Sequence, residues 1–79
     1  MTTLKRKPAS NLTVHVGKKI RHAREAKDMT QCQLAINVGC GISHLSEVES
    51  GFWTLNSETL WNISEELGVD MNYFFEDLG

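Results

Sequence analysis

Two short apolar stripes dominate the middle of the chain. Leu34 and Val38 stand one helical turn apart, and Leu45 and Val48 stand three residues apart, so each pair lies on one face of a short helix. Gly39, Cys40 and Gly41 between them form a tight turn, with Cys40 in a further apolar core slot. Ala35 is small where a neighbouring helix must come close. Gly39 follows the last periodic residue of the first stripe, where a left-handed backbone is least costly without a Cβ. The spacing predicts a helix over 31–38, capped by the Thr30 hydroxyl, and a second over 42–50 that ends at Gly51. The pair reads as a helix-turn-helix.

The same periodicity extends to both sides. Leu12, Val16, Ile20 and Ala23 share a face and predict a helix over about 13–27, with Lys18, Lys19, Arg21 and His22 on its other sides. After a loop over 52–56, Ser57 is placed to cap a helix over 57–67 whose core face is Leu60, Ile63 and Leu67, with Gly68 as its stop. Asp70 is placed to cap a last helix over about 71–78 that carries Tyr73, Phe74 and Phe75. No strand-period alternation and no internal repeat occurs. The expected fold is all-α, a compact five-helix domain over 12–79, preceded by a mobile basic arm over 1–11 that contains Pro8 and has almost nothing to bury.

Composition narrows the function classes. Seventy-nine residues form one domain near the size where a single core is marginal, which favours a homodimer. No apolar run approaches the roughly 18 residues of a membrane span, and no signal-peptide core is present, so the expected location is the cytoplasm. The net charge is −2, but it is unevenly distributed: all eight Lys and Arg lie between Lys5 and Lys27, and nine carboxylates follow from Asp28 onward. A basic third of this kind beside a helix-turn-helix reads as a phosphate-gripping surface. Cys32, Cys40 and His44 are too few and too mixed in environment to hold a metal, neither cysteine needs a disulfide partner, and no cofactor is expected. No Ser, Cys or Asp stands at a spacing that would make His15 or His22 a catalytic base, so an enzyme is not expected.

With Thr30-Gln31, Leu34-Ala35, Gly39 and Glu49-x-Gly51 in register, the chain resembles the helix-turn-helix family of lambdoid phage repressors and Cro. The likeness covers about five-sixths of the chain, because VGKKIRHAREAKDMTQ and SETLWNISEELGVDMNYFF also resemble that family's first, fourth and fifth helices. In size it resembles the small controller proteins of restriction and modification systems.

The resemblance implies a sequence-specific regulator that binds a palindromic operator on double-stranded DNA as a homodimer, with half-sites about 34 Å apart. It implies base contacts from Ile42, Ser43, Ser46 and Glu47. Phosphate contacts are expected from Gln31, His44, Thr54, Asn56 and Ser57, with Lys5, Arg6 and Lys7 supplying charge from the arm. Relatives pair the residues that match Arg24 and Glu49, and they carry Ser or Thr where this chain has Gly41, so the third helix should start less securely. Phe74 is expected in the core. Trp53, Tyr73 and Phe75 are the candidates for the dimer contact, and Trp61 could belong to either. No small-molecule ligand is expected. The set on the third helix departs from the usual Gln, Arg, Asn and Lys. The alternative function is therefore a protein-interaction module, such as an antitoxin or accessory protein, that binds a protein partner through the same surface.

Overall fold

The computed structural model describes residues 11–77. Four α-helices follow in order, α1 (Asn11–Ala26), α2 (Gln31–Val38), α3 (Ile42–Glu49) and α4 (Ser57–Leu67), and then a 3₁₀ helix, Met71–Phe75. The architecture is all-helical, but the expected fifth α-helix is not one. Asp70 Oδ1 accepts from the Asn72 N–H at 3.0 Å, and the segment turns extended at Glu76 after five residues. Phe74 is fully buried while Phe75 remains exposed. Glu76 and Asp77, both exposed, follow it. One tight 3₁₀ turn is enough to deliver one aromatic ring to the core.

Helix boundaries follow local chemistry. Thr30 and Gln33 form a reciprocal capping box on α2, with Gln33 N–H to Thr30 Oγ1 at 3.0 Å and Thr30 N–H to Gln33 Oε1 at 2.9 Å. α2 closes at Gly39 (φ 74°), with Cys40 N–H reaching Ala35 O at 2.9 Å. α3 has the same closure: Gly51 N–H donates to Val48 O and Phe52 N–H to Glu47 O, both at 3.0 Å. Gly41 offers no side-chain cap, and none replaces it at the start of α3. α4 is capped one residue earlier than expected. Asn56 Oδ1 accepts from Thr59 N–H at 2.8 Å, and Ser57 is instead the first helical residue. Either residue has the chemistry of a cap, and Asn56 takes the role by reaching the N–H three residues on.

Val16, Ile20, Leu34, Leu45, Val48, Leu60, Ile63, Leu67 and Phe74 fill one core, with Ala23 and Ala35 where helices approach. Val38 and Cys40, expected inside, are partly buried against its edge. α1 starts at Asn11, two residues before its expected start, and its inward face is Thr13, Val16, Gly17, Ile20, Ala23 and Arg24. Leu12 is 44% exposed, contrary to expectation. The face is rotated because α1 lies against α3 at Gly17, where a Cβ would collide with the Val48 backbone carbonyl. Gly51 lies in the same crossing, with a Cβ position 3.1 Å from Val14 Cγ2 and φ 88°.

Gly17→Ala should therefore force α1 off α3 and lower unfolding stability by about 3 kcal/mol, the upper end of overpacking costs. Gly41→Ser has open space, with no neighbour closer than His44 Cβ at 3.9 Å. It should raise stability by about 0.5–1 kcal/mol by adding a cap and removing backbone freedom from the unfolded chain. Guanidinium unfolding midpoints of the two variants should move in opposite directions.

Candidate nucleic-acid interface

α3 is amphipathic at its simplest. Leu45 and Val48 are fully buried, so the opposite side carries Ile42 (47% exposed), Ser43 and His44 at the start of the helix. Ser46 and Glu47 are half-buried on its flank. This surface holds hydroxyls, an imidazole, an aliphatic side chain and one carboxylate, and no Lys or Arg.

What orients α3 is an ion pair. Arg24 on α1 donates from Nε to Glu49 Oε2 at 2.8 Å and from Nη2 to Glu49 Oε1 at 2.9 Å. The two side chains are 9% and 2% exposed. The remaining Arg24 nitrogen, Nη1, donates to the Met29 carbonyl at 2.6 Å, just before α2. The hydrogen bond to Glu49 raises the guanidinium pKa above its ordinary value, against an opposing push from burial. Gln31, the first residue of α2, joins this group through Nε2, which donates to Glu49 Oε1 at 2.9 Å. The start of α2 is thus tied to the last residue of α3.

The other expected contact residues are distributed as follows. Thr54, Asn56 and Ser57 are exposed in the loop after α3 and at the start of α4. The Asn56 side-chain oxygen is occupied as a cap, which leaves its amide nitrogen. Lys5, Arg6 and Lys7 lie outside the described residues. Trp53 (47% exposed) and Phe75 (41%) stand at the surface, as does Trp61 (52%). Tyr73 is half-buried. Its ring packs edge-on against Phe74 with centroids 5.7 Å apart, and Lys19 Nζ lies 4.6 Å from its centroid. Tyr73, expected at a dimer contact, is therefore already engaged within its own chain.

Among the described residues, three of the basic side chains are engaged within the chain. Lys19 also approaches Asp77 at 3.8 Å, Arg21 pairs with Glu25 at 3.2 Å, and Arg24 is buried. His15, expected on an open face, places Nε2 2.6 Å from the Glu76 carbonyl oxygen. A carbonyl only accepts, so Nε2 carries the proton. The His15 and Lys19 contacts hold the C-terminal segment against α1. They were hidden in the sequence because each joins residues more than fifty positions apart. Gly17 and the Gln31–Glu49 bond were also missed. A glycine inside an otherwise good helix was the available signal for the first, and the second had none.

Cys32 is exposed and Cys40 half-buried, where burial raises its thiol pKa. Among the described residues no three His, Cys, Asp or Glu side chains converge as metal ligands, and no helix is long and apolar enough to cross a membrane.

Residues 20–74 match the helix-turn-helix family HTH_3, and the chain belongs to that family. An uncharacterized HTH-type transcriptional regulator, y4wC, from Sinorhizobium fredii is 36% identical over 73 residues, covering 92% of this chain and 50% of the relative. An uncharacterized transcriptional regulator in the ATPase CF(0) region of Rhodospirillum rubrum is 31% identical, over 86% of this chain and 63% of its own length. The chain thus spans about half to two-thirds the length of these relatives. Among solved structures, the restriction-modification controller protein C.Esp1396I superposes with a TM-score of 0.75 at 32% identity, covering 87% of this chain and 90% of the other. The controller C.AhdI from Aeromonas hydrophila gives 0.75 at 25% identity, over 80% and 96%.

Breaking the ion pair from one side should be far worse than removing it whole. Arg24→Met leaves the Glu49 carboxylate buried without its partner and should cost about 3–5 kcal/mol, whereas Arg24→Met with Glu49→Leu should recover most of that loss. Thermal and chemical unfolding of the two variants tests the asymmetry.

Proposed function

We propose that this chain is a sequence-specific, double-stranded DNA-binding transcriptional regulator that reads a palindromic operator as a homodimer. The observation that carries this reading is the outward side of α3, which its buried anchors Leu45 and Val48 leave uncovered. The match to HTH_3 and the likeness to proteins described as transcriptional regulators and restriction-modification controllers support it. Such a regulator works in the cytoplasm, beside bacterial DNA.

In the major groove, Ile42 meets a thymine methyl, Ser43 and Ser46 hydrogen-bond base edges, and Glu47 accepts from cytosine N4. Gln31 and His44, with Thr54, Asn56 and Ser57, contact the phosphates and set the register. Lys5, Arg6 and Lys7 add the charge that α3 lacks. Exposed Trp53 and Phe75 form the dimer contact, with the engaged Tyr73 at its margin. One observation favours a protein partner for the same surface instead: the α3 face bears a carboxylate, and no Lys or Arg follows Lys27.

Selection of bound sequences from a random duplex pool should return a palindrome with half-sites about 34 Å apart, and no enrichment would favour the protein partner. Against that palindrome, Glu47→Gln should change the preferred base at one position by about 1–3 kcal/mol. An equal effect on every sequence would remove Glu47 from the readout. Replacing Lys5, Arg6 and Lys7 by Ala should reduce the slope of log K against log salt by about 0.9 for each phosphate that is no longer neutralised.

A further inference from the structure

We infer that Glu49, beyond joining α1 to α3, is a positioning residue that presets the Gln31 side chain at the start of α2 for its phosphate contact. The inference rests on the DNA-binding reading above. Both Glu49 oxygens are committed: Oε2 accepts from Arg24 Nε, and Oε1 accepts from both Arg24 Nη2 and Gln31 Nε2. A carboxylate held against a guanidinium offers only acceptors, so Gln31 has to turn its amide nitrogen toward it, and the orientation of the amide is decided. One Nε2–H is taken. The other Nε2–H and Oε1 are left to a ligand.

The backbone beside it completes the arrangement. The capping box engages the N–H groups of Thr30 and Gln33, and Leu34 N–H donates to Thr30 O at 3.1 Å. Among the described residues, this leaves the N–H groups of Gln31 and Cys32 as the open donors of the first turn. The side chain that Glu49 holds therefore stands beside the two backbone donors that face an incoming anion. A surface glutamine normally samples several rotamers. Fixing one of them before DNA arrives removes that ordering cost from binding. Arg24 supplies the second requirement, because it offsets the Glu49 charge and lets a carboxylate orient a phosphate-binding group without repelling the phosphate.

The test uses the full chain and a mixed-sequence duplex, since phosphate contacts carry no base information. Fluorescence anisotropy is read at fixed salt for wild type, Gln31→Ala, Glu49→Gln and the double variant. In Glu49→Gln the acceptor left for Gln31 is a neutral amide oxygen, and the NH2 group that replaces Oε2 opposes Arg24 Nε, so the pair is pushed apart and the Gln31 bond is weakened. Each single variant should weaken binding about fivefold to tenfold, and the double should be no weaker than Gln31→Ala. Removing a negative charge would by itself tighten binding, so the loss cannot come from net charge. The inference is overturned if Glu49→Gln binds as tightly as wild type or more so, or if the two losses multiply in the double variant. Should Glu49→Gln fail to fold by circular dichroism, Glu49→Asp takes its place in the cycle, keeping the charge for Arg24 and withdrawing the oxygen from Gln31.

A second readout needs no DNA. Heteronuclear relaxation of the Gln31 side-chain amide should match the rigid backbone in wild type and become mobile in the Glu49 variant. Equal mobility in both overturns the inference. A rigid amide in a wild-type protein that binds no duplex would overturn the DNA-binding reading itself, whereas duplex binding with multiplying losses would overturn only the role of Glu49.

Discussion

The Arg24–Glu49 ion pair is the contact through which the three N-terminal helices are referred to one another. Burying apolar side chains brings α1, α2 and α3 together, but that force has no direction. A bidentate guanidinium–carboxylate pair does, because two parallel N–H···O bonds fix the angle as well as the distance. Glu49 is the last residue of α3, Arg24 lies in the last turn of α1, and the remaining Arg24 bond reaches Met29 just before α2. With both charges nearly removed from water, neither can be left alone without a large desolvation cost. The outward direction of the α3 surface is therefore settled by a polar contact beneath it. Gly17 makes this contact geometrically available by letting the α1 backbone reach the Val48 carbonyl.

Helices of eight residues are unstable in isolation, and α2 and α3 meet that problem differently. α2 is closed at both ends by its own residues, with a capping box at Thr30 and a glycine closure at Gly39. α3 is closed only at its C-terminal end. Its start, at Gly41, depends on Leu45 and Val48 being anchored in the core. The end of α3 that carries Ile42, Ser43 and His44 is thus held by fewer local bonds than the end that carries Glu49, which places adaptability where base edges would be met.

Charge is distributed with a similar division of labour. Several α1 cations are engaged inside the molecule: Lys19 over Tyr73 and toward Asp77, Arg21 with Glu25, and Arg24 with Glu49. Together with the His15 bond to the Glu76 carbonyl, the Lys19 contacts turn part of a basic helix into a strap for the C-terminal segment. A count of positive charges along α1 therefore overstates what that helix can offer to phosphates. In the proposed function the arm residues Lys5, Arg6 and Lys7 carry more of that burden.

Much of the fold was legible because helix ends are decided within four or five residues. Thr30, Gly39, Gly51, Gly68 and Asp70 all terminate or initiate elements through bonds to backbone groups close by in the chain. The apolar spacing of Leu34, Leu45, Val48, Leu60, Ile63 and Leu67 identified buried positions for the same reason, since a helix repeats its face at a known interval. Local chemistry alone could not choose between Asn56 and Ser57 as the cap, nor tell a 3₁₀ turn from an α-helix where only one of three aromatics had a core to enter. The rotation of α1 that exposes Leu12 and buries Thr13, the engagement of Lys19 and the link from Gln31 to Glu49 were decided by tertiary structure. Each depends on where a second or third helix lies, and no spacing along one helix encodes the position of another.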